Sequence, residues 1–363
     1  MNRRVKLALV FVGVVVAVLA LAEVGARVFG PLPPPPNWES HLLVGFVRAP
    51  NYRTNKVAID TGEPFVYETN ALGLRSTTLN AVPKPAGKKR IVFVGGSTTE
   101  NGDLPHEHTF PGIVEAKLKD RGVEVANAGV PGATTSVALA QLVHRVLPLQ
   151  PDVVVCLDPV VNDFHESLTS GWDPLLQHMA AAPSPPSFMD WLTGASRLLT
   201  LLDTRHREPV NAKEVFARRS REHLKNPPSD PPDDLLLRGV PRFELAQRVM
   251  LEVLRDEKIV ALVVTEPILV KPVMTKEEDE KVTSAAVPRT DFNLRPETEL
   301  RALAAYDEVT RRNAEKLGAY VVEGSVVPKD LAHFVDDVHL STKGNEALAE
   351  AILAKVVPLV SKD

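Results

Sequence analysis

The chain is poor in cysteine, with one, Cys156, among 363 residues. An internal disulfide and a cysteine-built zinc cluster are therefore excluded. Cys156 stands in the apolar run DVVVCLD, where it reads as a small core hydrophobe. Positive charge is not in excess either: 42 Lys and Arg face 46 Asp and Glu, for a formal net charge of -4. The electrostatic footprint of a nucleic-acid binder is missing, and nucleic acid is not expected as a partner. The chain shows no internal repeat. It does have 44% hydrophobic residues, ordinary for a globular protein and enough for a sizeable core in one large domain or two smaller ones.

The N-terminus carries a membrane signal. Arg3, Arg4 and Lys6 precede LALVFVGVVVAVLALA, an uncharged stretch from Leu7 to Ala22. A helix continued to about Phe29 reaches the roughly 20 residues a bilayer needs. Residues 1–30 read as an uncleaved membrane anchor, although Ala20-Leu21-Ala22 also suits a secretory signal peptidase. Either way the leading positive charges keep the N-terminus cytoplasmic and send the rest across, so the expected location is extracytoplasmic: single-pass in the cell membrane, or secreted if cleaved.

A spacer and a β-like lead-in fill residues 31–88. In GPLPPPPNWES four consecutive prolines favour an extended spacer. The short runs VAID and PFVYET, the turn-rich NALGLR and the linker NAVPKPAGKK follow. From residue 89 onward the pattern alternates. RIVFVGG, VEVANAG, DVVVCLD, IVALVVTE and AYVVEG are short continuous apolar runs, as expected of parallel strands buried on both faces. Between them, TFPGIVEAKLKDRG, TSVALAQLVHRVL, FELAQRVMLEVLRDEK and ELRALAAYDEVTRRNAEKLG space apolar residues at three and four. Strand alternating with helix predicts a three-layer α/β/α sandwich on a mostly parallel sheet, in one domain over 89–363. An insertion at about 165–240, with APSPPS and NPPSDPPDD, interrupts it and reads as a lid or flap.

Open parallel sheets bind ligands at the carboxyl ends of their strands. There the chain places Gly95-Gly96-Ser97-Thr98, then NAGVPGATT with Gly129 and Gly132, then PVVNDF with Asn162 and Asp163. Near the C-terminus FVDDVHLSTKG sets Asp336 and His339 just before a last helix capped by Ser341 or Thr342. A serine hydroxyl needs a base within hydrogen-bond reach, and the base needs a third group to fix its tautomer. His339 and Asp336 are suited to those roles for Ser97, with Asp337 as an alternative acid. The developing oxyanion needs donors fixed in advance, for which the candidates are the backbone N–H groups of Ser97 and Gly132 and the side-chain amide of Asn162. Such chemistry calls for no cofactor.

These blocks resemble those of the SGNH or GDSL-type serine hydrolases. GGST, NAGVPGATT, VVND and DDVH stand in the family's order from Arg90 to the C-terminus, and the lead-in looks like that of membrane-anchored bacterial members. The resemblance implies a flavodoxin-like fold and an esterase reaction on a small-molecule or carbohydrate ester, with Ser97, Gly132, Asn162, His339 and Asp336 as the working residues. One departure is Val160, where the family has glycine. A β-branched residue there narrows the pocket or tilts the Asn162 loop.

Bland readings stay beside these. Gly-Gly-Ser after a strand also serves as a plain turn, and Gly132 and Asn162 as turn residues. Asp163 reads as a brace of its loop. His106-Glu107-His108 lacks a third ligand and makes a poor metal site, so no metal is expected. His144 reads as structural and His165 as a residue lining the pocket. Trp172 and Trp191 read as core, or as an apolar wall for an acyl chain. An O-acyltransferase of envelope polysaccharide using the same residues, and an inactive envelope binding protein, remain as alternatives. A phosphate-binding GGSTTENG lacks the P-loop lysine and the third glycine of a dinucleotide fingerprint.

Overall fold

The computed structural model describes residues 2–29, 38–41, 44–169, 172, 196, 198–199, 229–286 and 292–361. Most of the expected insertion, Trp191 included, lies outside the described residues. The chain divides into two compact units, one of Met1–Pro35 with Ala181–Val215 and one of Pro36–Ala180 with Phe216–Asp363.

In the first unit, helix α1 (Arg3–Phe29) is 27 residues long, with a mean hydropathy of 2.8 over its most apolar window. At 1.5 Å per residue it spans about 40 Å, long enough to cross a bilayer core. Near its end Glu23 pairs with Arg27 one turn on, at 2.7 Å, and accepts the Ser196 hydroxyl at 2.8 Å and the Leu198 amide at 2.9 Å.

The second unit opens with two antiparallel hairpins, β1 (Trp38–His41) with β2 (Gly45–Arg48) and β3 (Arg53–Val57) with β4 (Pro64–Glu68). Arg75 then bridges the backbone of Asn127, covering the end of an outer strand. Five strands follow: β5 (Lys89–Gly95), β6 (Val123–Asn127), β7 (Val153–Leu157), β8 (Val260–Val264) and β9 (Tyr320–Val322). They form one parallel sheet in the order β6-β5-β7-β8-β9. This is the doubly wound 2-1-3-4-5 order, whose crevice opens where the winding reverses, at the carboxyl ends of β5 and β7.

Among the described residues of this unit the helices are α2 (Ser97–Glu100), α3 (Phe110–Leu118), α4 (Thr135–Gln141), α5 (Val160–Ser167), α6 (Asp233–Leu236), α7 (Val240–Asp256), α8 (Lys276–Ala286), α9 (Pro296–Leu317) and α10 (Thr342–Val360). Because successive strand side chains point to opposite faces, each strand feeds two cores. Ile91, Phe93, Val125, Val155 and Leu262 pack with Phe110 and Val114 of α3 and with Leu348 and Ile352 of α10. Val92, Val94, Val154, Cys156 and Val263 pack with Leu142, with Met250 and Leu254 of α7, and with Ala314 of α9. The expected three-layer α/β/α sandwich is what forms. Cys156 sits inside the second layer, where burial pushes its thiol well up.

One helix ends differently from the pattern read in the sequence, and another ends where that pattern ends. TSVALAQLVHRVL leaves α geometry after Gln141, passing through a π turn at Leu142–Val146 and a 3₁₀ turn at Leu147–Leu149. Pro148 has no N–H to give to an earlier carbonyl, so the regular ladder ends before it. α3 tightens into a 3₁₀ turn and stops at Gly122, whose φ of 75° terminates it.

Candidate active site

Backbone crowding explains the glycines that lead into Ser97. A Cβ on Gly95 would lie 2.4 Å from the Leu157 carbonyl and 2.2 Å from Thr99 Oγ1, so only glycine lets β5 turn off beside β7. A Cβ on Gly96 would meet Pro159 at 2.9 Å. Ser97 then opens α2, and its Oγ lies 2.9 Å from His339 Nε2.

The residues around His339 are held by their own turn. Asp336 Oδ1 accepts the amides of Val338 at 3.0 Å and His339 at 2.7 Å, while its Oδ2 meets His339 Nδ1 at 2.7 Å. Burial by itself would raise this carboxyl. The neighbouring imidazole and the hydrogen bonds reverse that and hold it well below the usual carboxylate range. An ionised carboxylate only accepts, so the ring proton belongs on Nδ1, and Nε2 accepts from the Ser97 hydroxyl. Asp337, the other acid of the pair, is buried at 1% exposure, and the carboxylate on Nδ1 is that of Asp336. Asp336, Asp337 and His339 each bring a ligand atom within 4.8 Å of the others, as a cation would require. Both oxygens of Asp336 and both ring nitrogens of His339 are already engaged in hydrogen bonds.

The loop after β6 hangs from β5, since Val130 N–H donates to the Gly95 carbonyl at 3.0 Å. Gly132 in this loop has φ 71°, and a Cβ there would meet nothing within 4 Å. Its glycine answers to backbone conformation, with open space beside it. Asn162, in the first turn of α5, donates its Nδ2 to the Ala133 carbonyl at 2.9 Å. That amide also lies against Gly96, 3.4 Å from where a Cβ would stand. Ser97 at the start of α2, Gly132 in its loop and Asn162 in the first turn of α5 thus stand beyond the carboxyl ends of β5, β6 and β7.

Other candidates fall elsewhere. Asp163 Oδ2 accepts the backbone N–H and hydroxyl of Thr135 at 2.8 and 2.7 Å, bracing α5 against the start of α4, and burial pushes its carboxyl up to about 6. His165 does not line the cleft: it is fully buried beside Glu299, 3.3 Å from its Oε1, because α5 runs on through Ser167 and turns this face inward. His106 pairs with Glu115 at 2.7 Å, and His144 is exposed. The Arg238 guanidinium covers the Trp172 ring at 5.0 Å. Val160 is 2% exposed within a cluster of Val161, Phe164, Phe243 and Tyr306, so its side chain is spent on packing.

Several polar residues passed over in the sequence stand behind the site. Asn345 Oδ1 accepts from Asn101 Nδ2 at 2.9 Å and Phe110 N at 2.8 Å, while its Nδ2 donates to the Leu340 and Ser341 carbonyls at 3.2 and 2.9 Å, joining the His339 loop to the end of α2. Glu100 Oε1 receives Arg48 and the Tyr67 hydroxyl, and Arg75 donates to the Glu100, Asn101 and Leu104 carbonyls. The lead-in hairpins are thereby fastened to the same helix. Glu266, two residues beyond β8, accepts the Thr98 hydroxyl at 3.1 Å and the Val161 N–H at 2.7 Å. Its position after an apolar run was a signal the sequence offered, since the strand ends are where ligands bind.

No family model matches the chain, and no curated protein matches it. Among solved structures it is similar to a GDSL-like lipase from Bacteroides thetaiotaomicron (14% identity, 77% of this chain and 93% of that one, TM-score 0.42). It is also similar to a lipase/acylhydrolase from Enterococcus faecalis (15% identity, 76% and 98%, TM-score 0.42) and to an acetyl xylan esterase (16% identity, 74% and 99%, TM-score 0.41).

Proposed function

We propose that the chain is a serine esterase that cleaves carboxylic esters through an acyl-enzyme on Ser97. The observation that carries this reading is the hydrogen-bonded series Ser97 Oγ, His339, Asp336, at 2.9 and 2.7 Å. The four sequence blocks that resemble the SGNH or GDSL-type hydrolases point the same way.

In this reading Ser97 Oγ attacks the ester carbonyl as His339 Nε2 takes its proton, and Asp336 stabilises the imidazolium that results. The backbone N–H groups of Ser97 and Gly132 and the second N–H of the Asn162 amide receive the oxyanion. Asn162 has two amide protons, and the Ala133 carbonyl uses one. Collapse of the tetrahedral intermediate breaks the bond to the alcohol, which leaves with the proton from His339. Water, activated by the same imidazole, then releases the acid. The substrates we assign are acetyl or short acyl esters, including those on cell-envelope carbohydrate, with α1 as a membrane anchor and the catalytic unit outside the cytoplasm.

A fluorophosphonate probe tests the reading directly. The parent chain should label at Ser97 and hydrolyse p-nitrophenyl acetate, while Ser97→Ala should not label and should lose about 10⁴-fold or more in kcat with its circular dichroism unchanged. Equal turnover in the two proteins would overturn it.

A further inference from the structure

We propose that Glu266 is a positioning residue that sets the spacing between the start of α2, which carries Ser97, and the first turn of α5, which carries Asn162; this rests on the reading of Ser97 as the nucleophile. One carboxyl group makes both connections. Oε1 lies 3.1 Å from the Thr98 hydroxyl, and Oε2 lies 2.7 Å from the Val161 N–H. Thr98 follows Ser97 directly, and Val161 precedes Asn162. The nucleophile and the oxyanion donor are each one residue from an atom that Glu266 holds.

The connection is made in a buried place. Glu266 is 8% exposed and Thr98 3%. Val161 N–H is one of the first amides of α5, which have no partner inside their own helix, so losing its acceptor would leave a buried donor unsatisfied. Burial pushes the Glu266 carboxyl up to about 8, against the pull of its two hydrogen bonds and with Asp337 adding to the rise. Near neutral pH the group is mainly the neutral acid. Oε1 accepts the Thr98 hydroxyl, and Oε2 accepts the Val161 N–H, an arrangement that needs no proton from the carboxyl itself. A glutamine amide keeps an acceptor for the Val161 N–H and can meet the Thr98 Oγ1, itself able to accept, with its NH₂, whereas alanine makes neither contact.

Positioning of this kind is felt in the chemical step, where a displacement of about 1 Å can cost about 100-fold. The test is fluorophosphonate labelling and p-nitrophenyl acetate turnover of the full-length chain in detergent, for the parent, Ser97→Ala, Glu266→Ala, Glu266→Gln and Thr98→Val. Glu266→Ala should slow labelling and kcat by about 100-fold with little change in KM, and Glu266→Gln should return both to within about threefold of the parent. Thr98→Val, which cuts one of the two connections, should cost about tenfold, and it decides the matter if Glu266→Ala does not fold. Parent-like rates in Glu266→Ala or in Thr98→Val, or a Glu266→Gln as slow as Glu266→Ala, overturn the positioning role while parent labelling at Ser97 stands. A parent chain that fails to label at Ser97 overturns the nucleophile reading and this proposal together.

Discussion

His339 and Ser97 are 242 residues apart in sequence, and the Nε2 of the first lies 2.9 Å from the Oγ of the second. That approach is over-determined from behind. Asn345 ties the loop after His339 to Asn101, at the end of the helix that Ser97 begins, and Asp60 Oδ2 caps the start of α10 through Thr342 N–H at 2.8 Å. The meeting of serine and imidazole thus depends on buried polar ties from the lead-in, from α2 and from the C-terminal helix.

Asp336→Asn should separate orientation from tautomer. The asparagine carbonyl can still accept the Val338 and His339 amides, so the turn should persist. Its NH₂ group would then face Nδ1, forcing the ring proton to Nε2, where it can no longer accept from Ser97. The expected result is a loss of about 10⁴ in kcat with the fold retained. Turnover of a chromogenic acetate ester, read beside a thermal melt, decides it, and a variant within about tenfold of the parent would contradict the assigned tautomer.

How far the sequence spoke for this arrangement differs by residue. The strands could be read because runs such as VFVG and VVVCL are apolar at every position, as burial on both faces demands. Ser97, Asp336 and His339 stood out because each follows or flanks an element end with the chemistry of its neighbours. Asn345, Glu100 and Arg75 did not, and Glu266 offered only its place after β8, with no partner in view. Their importance lies in contacts made across 25 to 244 residues of chain, which no local periodicity encodes. His165 was misplaced toward the cleft because nothing nearby in the sequence names Glu299 as its partner.

The two glycines at the site should respond to alanine in different ways. Gly95→Ala drives a Cβ into the Leu157 carbonyl and Thr99, so backbone must move and stability should fall by on the order of 3 kcal/mol. Gly132→Ala faces open space and carries only the cost of φ 71°, about 1–2 kcal/mol. Urea denaturation should rank them in that order. The reverse ranking would mean that the loop after β6 is more crowded than its geometry indicates.

Val160→Gly bears on the one departure from the resembled blocks. With the valine side chain packed among Phe164, Phe243 and Tyr306, its removal should cost about 2–3 kcal/mol, from lost apolar burial and the added freedom of glycine. If urea midpoints of variant and parent coincide, the side chain contributes no packing there, and its effect must be sought in the shape of the pocket.

Glu115 gives stability a definite pH dependence. Its carboxylate accepts the Thr77 and Thr78 amides and the Thr78 hydroxyl between 2.7 and 2.8 Å, takes the Ser76 hydroxyl at 3.0 Å and meets His106 at 2.7 Å, fastening the lead-in to α3. Burial opposes the charge, but the His106 hydrogen bond and charge and the Thr77 and Thr78 donors outweigh it and lower the pKa to about 2. A group whose folded pKa lies below its unfolded value stabilises the fold fully above the unfolded pKa of 4.5 and loses that contribution as pH falls through about 2. Glu115→Gln should therefore be less stable than the parent by on the order of 2 kcal/mol at neutral pH, and the gap should shrink as the solution is acidified from about 5 towards 2. Chemical denaturation of both proteins across that range measures it. A gap that stays constant with pH would mean that the carboxylate's charge contributes nothing and that only the shape of its hydrogen bonds matters.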